Sequence, residues 1–142
     1  MKIKSILLSS ILAILSSCKT YTIPVESFRK QMTKSGTEMR KVEINNPISY
    51  SNIKYEANRI ESLIVMDKDG NNVEIENLPK LEMRVTRKDG SKYILLFDTV
   101  VVENDTLKGA RSRIIQNLRR EIPLNDIEKI EIQDNGKVYK YQ

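Results

Sequence analysis

Histidine is absent from this chain of 142 residues, tryptophan is absent as well, and cysteine occurs once. Without an imidazole there is no Ser-His-Asp or Cys-His nucleophilic machinery, no ordinary general base near neutral pH, and no basis for most zinc or iron sites. A lone thiol cannot close an internal disulfide, so the fold has to be held by its core. No apolar run is long enough to span a bilayer: the longest begins at Ile6 and ends at Leu15, about half of the roughly 20 residues a spanning helix needs. Neither an internal repeat nor a low-complexity tract occurs. Basic residues exceed acidic ones by only five, a mild excess that permits contact with anionic surfaces but lacks the concentrated basic stripe of a nucleic-acid binder.

What is present at the N-terminus has three parts. Lys2 and Lys4 precede the apolar run, and Ser16 and Ser17 follow it, the basic, apolar and small zones of a secretory leader. The single cysteine stands directly after them, in Leu15-Ser16-Ser17-Cys18. That tetrapeptide resembles the lipobox of bacterial lipoproteins. The resemblance implies that residues 1–17 are a signal peptide, that a diacylglycerol is attached to the Cys18 sulfur, and that the new amino group is acylated. Two or three acyl chains hold a protein on a membrane stably where one binds marginally, because each buried methylene adds about 0.8 kcal/mol.

In the same family an aspartate after the cysteine commonly signals inner-membrane retention, and here that place is Lys19. The expectation is therefore an outer-membrane protein facing the periplasm. The Lys/Ile/Asn-rich texture is similar to small envelope lipoproteins of Bacteroidetes, whose surface export tends to use acidic residues soon after the cysteine. The segment Lys19-Thr20-Tyr21-Thr22 has none.

Removal of Lys2 and Lys4 with the leader lowers the formal charge from +5 to +3 and leaves residues 18–142, enough for one domain. Residues 18–40 read as a lipidated tether with a possible short helix: Pro24 suits a first turn, Val25, Phe28 and Met32 recur at helical spacing, and Gly36 can end it. Residues 41–142 read as a β-rich domain. Asp67–Gly70, Arg87–Gly90 and Asp134–Gly136 place Asp-Gly or Asn-Gly pairs between apolar or alternating runs, the signature of hairpins.

Within that domain "VEIEN" and "LEMRV" alternate apolar with charged residues, as half-buried strands do, whereas "KYILLFDTVVV" is apolar on both faces and reads as one central strand. "ENDTLKG" reads as a longer hairpin connection, "IKYEAN" as a strand, and "KVYKY" as the last strand. The expected fold is mainly β, a small antiparallel barrel or sandwich of about six to eight strands with a short N-terminal helix or tether.

Candidate chemistry is thin. Ser51 and Lys54 match S-x-x-K, and Lys34 to Gly36 resembles the K-T-G element of Ser-Lys acylases, but the order is reversed and S-D-N is missing. Asp67, Asp69 and Asn71 imitate a calcium loop, yet the sixth and twelfth places hold Asn72 and Leu78 in place of glycine and glutamate. They read as turn formers. Asp98, in an otherwise apolar run, must find an arginine or backbone partner or mark a bend that reaches solvent, because an unpaired buried carboxylate is costly.

The remaining signal is "KGARSRIIQNLRRE", in which Lys108, Arg111, Arg113, Arg119 and Arg120 accompany one acid, Glu121. Arginine forks suit phosphate and carboxylate recognition, so Arg111, Arg113, Arg119 and Arg120 are the candidate anion-binding residues, for lipid phosphate, lipopolysaccharide or an acidic partner. The plainer reading is a solvated connection or an edge strand whose charges discourage aggregation. The sequence therefore points to a non-enzymatic, lipid-anchored binding or structural module of the envelope, with an envelope protein as a possible partner. It calls for no catalytic residue, metal, cofactor or nucleic acid.

Overall fold

A computed structural model describes residues 19–47, 49, 51–115, 117–136 and 139–142. The leader and Cys18 lie outside the described residues, as do Lys137 and Val138 of the last expected strand. The fold is mainly β and sandwich-like, with eleven strands in three antiparallel sheets and one α-helix among the described residues.

Six strands form the main sheet, in the order β5 (Asn72–Glu76), β4 (Ser62–Met66), β1 (Thr20–Ile23), β11 (Ile127–Asp134), β6 (Leu81–Arg87) and β7 (Lys92–Leu96). The stretch read as a tether thus enters the fold: β1 pairs with β11 on one side and meets β4 on the other. It supplies the inward side chain Ile23, which belongs to the core. Next comes α1 (Val25–Ser35), with Pro24 as its N-cap residue and Gly36 at its end in a positive φ of 80°. Phe28 and Met32 are fully buried, as their spacing predicts. Where β1 ends, the Gln31 side chain stands in for a strand residue: its amide donates to Ile64 O at 3.0 Å and accepts from Ile64 N at 2.8 Å.

Two of the expected hairpins form. Gly70 and Gly90 adopt positive φ in the β4–β5 and β6–β7 turns. In the first turn Asp67 Oδ1 accepts from the N–H groups of Asp69 and Asn71, each at 2.9 Å, so the acidic loop is a turn former. The third Gly, Gly136, also has positive φ, but among the described residues no strand after it pairs with β11. Both edges of β11 are already occupied by β1 and β6. The C-terminus instead runs beside β2 (Met39–Ile44), where Tyr141 bridges Ile44 and Gln142 N donates to Glu43 O at 2.8 Å. On its other side β2 pairs with β3 (Ile53–Asn58).

The long apolar run is corrected most. It is not one central strand but β7, a 3-10 turn at Phe97–Thr99, and β8 (Val101–Glu103), and both strands lie at sheet edges. The run is apolar on both faces because it turns a corner inside the protein: Leu95, Phe97, Val100 and Val102 all reach the core from different directions. Asn58, 1 % exposed, holds this corner with its side-chain amide, which donates to Phe97 O at 2.9 Å and Val100 O at 2.8 Å.

The expected long connection after it is also tighter than expected. Asn104 and Asp105, at φ of 53° and 55°, make a two-residue turn into β9 (Thr106–Ala110). Such residues tolerate the left-handed region that this turn requires. β9 then pairs with β10 (Arg119–Pro123) to complete the three-stranded sheet β10-β9-β8.

One core joins these pieces. Inward residues of the main sheet, including Leu63, Met83, Val85 and Ile132, meet Phe28 and Met32 of α1 and Val102, Leu107 and Ile122 of the smaller sheet. In β11 the buried residues Ile127, Ile130 and Ile132 break strict alternation, and a register shift between Ile127 and Lys129 absorbs the extra residue. Gly109 is where the layers come closest. A β-carbon built there would lie 2.9 Å from Val100 Cγ2 and 3.1 Å from Leu95 Cδ1.

Candidate functional site

The chemistry that the fold concentrates lies around Asp98, at the corner between the two larger sheets. Asp98 is fully buried. Three donors reach it from three parts of the chain. The Tyr55 hydroxyl, from β3, donates to Oδ2. The Tyr141 hydroxyl, from the C-terminal segment, donates to the same oxygen at 3.1 Å. Arg113, from the β9–β10 connection, donates from Nη2 to Oδ1 at 3.1 Å, and the same nitrogen donates to Pro79 O. The guanidinium lies over the Tyr55 ring at 5.1 Å and the Tyr139 ring at 5.4 Å, and Arg40 lies over Tyr141 at 5.1 Å. Of the two outcomes anticipated for Asp98, the arginine partner is realised; the chain does bend there, but the bend is buried and does not reach solvent.

The electrostatics follow from burial. Burial, reinforced by the Asp98 charge, pushes the Tyr55 and Tyr141 phenols well above the usual tyrosine value, so both stay protonated as donors. Burial alone would weaken the Arg113 cation, but Asp98 and Tyr55 outweigh it and raise its pKa. Arg113 therefore remains charged, and both carboxylate oxygens of Asp98 are engaged inside the protein. Asn58 and Asn77 extend the polar tie: Asn77 Nδ2 donates to Asn58 Oδ1 and to Ile60 O, each at 2.8 Å.

The arginines of the 108–121 segment do not converge on one surface. Arg113 turns inward, 8 % exposed. Arg119 is exposed and shares with Arg113 only a small cleft of about 40 Å³. Arg120 is exposed with its guanidinium over the Tyr93 ring at 5.3 Å. Arg111 is exposed, and Lys108 pairs with Glu103 at 3.4 Å and Glu121 at 3.8 Å. Between Arg113 and Arg119 the connection carries Ile114, Ile115 and Leu118, which are 74, 55 and 45 % exposed.

Two depressions flank Tyr141. One, of about 540 Å³, is walled by charges of both signs from β2 and β3, among them Arg40, Lys41, Glu43, Lys54 and Glu56. The other, of about 400 Å³, lies between Pro79 and Tyr139. Ser51, Lys54 and Lys34 are all exposed, with Lys54 on β3 and Lys34 in the last turn of α1.

No family model, curated protein or solved structure matches the chain. The residues around Asp98 therefore carry the functional argument by themselves. Of these, sequence reasoning found Asp98 and Arg113 but not Tyr55, Tyr139, Tyr141 or Arg40. The signal available was the buried carboxylate itself, which demands donors; their positions, 43 residues away on either side for the two phenols, carry no local mark.

Proposed function

We propose that this protein is a lipid-anchored component of a bacterial envelope, held by an acylated Cys18 at the outer membrane and facing the periplasm, whose β domain is a non-enzymatic binding or structural module. The observation that carries this reading is the Leu15-Ser16-Ser17-Cys18 tetrapeptide directly after a basic and an apolar zone, and little chain separates that cysteine from the main sheet. Thr20 is already paired with Gln133 in the middle of the main sheet, and two residues of extended chain reach only about 7 Å. A lipid on Cys18 would hold the sheet end against the bilayer with no long tether between them. Among the described residues no helix is long and apolar enough to cross a membrane, so on this reading the acyl chains supply the attachment.

The state of Asp98 supports the non-enzymatic part. A hydrolytic carboxylate has to face a cleft where substrate can lie. Asp98 instead spends both oxygens on Tyr55, Tyr141 and Arg113, which ties the C-terminal segment, β3 and the β9–β10 connection to one point. The test is metabolic labelling with a fatty acid followed by mass analysis of the mature chain. The expected product starts at Cys18 and carries diacylglycerol; an unmodified thiol or a retained Met1 refutes the anchor.

A further inference from the structure

We propose that the β9–β10 connection is a second membrane contact, in which Ile114, Ile115 and Leu118 enter the interfacial zone of an anionic bilayer beside the anchor. Its placement rests on the lipid-anchor reading of Cys18. Single exposed aliphatic residues are ordinary on any surface, but of the five large exposed ones among the described residues, three, Ile114, Ile115 and Leu118, fall on this one short connection. Arg111, Arg119 and Arg120 flank these residues in sequence, all exposed though not on one face, and no acidic residue occurs from Thr106 to Arg120. Apolar side chains for the acyl boundary and guanidinium forks for the phosphates match the chemistry of an anionic lipid surface.

Four backbone donors of the connection are paired within it. Leu118 N donates to Ile115 O at 3.1 Å, Arg111 N to Leu118 O at 2.9 Å, and the N–H groups of Ile114 and Ile115 donate to Ser112 Oγ at 3.2 and 3.1 Å. Moving these four donors out of water therefore leaves none of the four unsatisfied. The base is fixed by Arg113, buried on Asp98 and Pro79. Position agrees as well. Leu96, Glu82, Gln133 and Thr20 form one cross-strand row of the main sheet, and Asp98 follows Leu96 by two residues. The base of the connection and the start of β1 therefore share one end of the sheet, three strand spacings or about 14 Å apart, and Cys18 lies two residues beyond Thr20.

The test places an environment-sensitive dye at Ile115→Cys in the full chain, purified from membranes and reconstituted in phosphatidylglycerol-rich or pure phosphatidylcholine vesicles. A control carries the dye at Ile64→Cys, which is exposed on the sheet. Both positions are exposed, and matched thermal unfolding of labelled and unlabelled chains verifies the fold. The expected result is blue-shifted emission, quenched by lipid-borne quenchers, at 115 and not at 64, stronger with phosphatidylglycerol. It should weaken when Arg111, Arg119 and Arg120 become Gln. Burial of one aliphatic side chain is worth about tenfold or more in partition, so Ile114→Ser with Leu118→Ser should reduce the inserted fraction at least about tenfold.

A water-like spectrum at 115 in vesicle-bound protein overturns the proposal, as does a shift that needs envelope proteins and is absent with pure lipid. The anchor is read separately from dye stoichiometry, because an acylated Cys18 cannot be labelled. One dye per chain with a water-like signal at 115 refutes only the second contact. Two dyes per chain with a quenchable shift at 115 on added phosphatidylglycerol vesicles refutes only the anchor.

Discussion

Replacing Arg113 by methionine is the most direct probe of how this fold holds together. Methionine keeps an unbranched stem of similar volume but removes the charge that faces Asp98. The Asp98 side chain is 0 % exposed and that of Arg113 6 %, so solvent cannot screen the carboxylate once its partner is gone. Removal of one member of such a buried pair costs about 3–5 kcal/mol, against the 0–1 kcal/mol of an exposed ion pair. A domain of this size has about 5–15 kcal/mol in total, and the loss corresponds to a fall in Tm of about 10–20 °C.

The assay is urea unfolding of wild type, Arg113→Met, Asp98→Asn and the double variant. In that cycle the double change should cost less than the sum of the single ones, since an amide no longer demands a cation. A cost below about 1 kcal/mol for Arg113→Met would place the pair in water and refute the reasoning. So would a cycle in which the two single effects simply add.

Gly109→Ala should destabilise by about 1–3 kcal/mol, because the new β-carbon meets Val100 and Leu95 at the distances of a clash; an unchanged urea midpoint would mean that the layers are not so close. The phenols give a pH prediction. Tyr55 and Tyr141 keep their protons in the folded state beyond the ordinary value of about 10. Unfolding above that pH therefore releases protons that the native protein retains. Their contribution to stability is whole below about pH 10 and is lost as pH climbs through the raised values. Tyrosinate absorbance should show Tyr93 ionising before Tyr55 and Tyr141, its phenol lowered by the Arg87 hydrogen bond. Tyr55 and Tyr141 should titrate only on unfolding; a native protein in which these two ionise near pH 10 would contradict this.

Some features were legible because they are local. Val25, Phe28 and Met32 at helical spacing define α1, the alternation of "VEIEN" and "LEMRV" defines two half-buried strands, and Asp-Gly pairs with the required φ define two hairpins. The need of Asp98 for a partner was legible too, since burial of a charge is unfavourable whatever surrounds it. The third Asp-Gly-like signal failed for a non-local reason, as β11 had no free edge to receive a returning strand.

The sequence by itself determined helix, alternating strands and tight turns, because those depend on dihedral preferences and on side chains a few positions apart. Only the tertiary structure decided that the apolar run from Lys92 to Val102 bends into a corner, that Tyr55 and Tyr141 share one carboxylate oxygen, and that Arg113 turns inward while Ile114 and Ile115 face out. Those outcomes depend on which strand edges and buried charges remain unmatched after the sheets assemble, and no window of neighbouring residues contains that information.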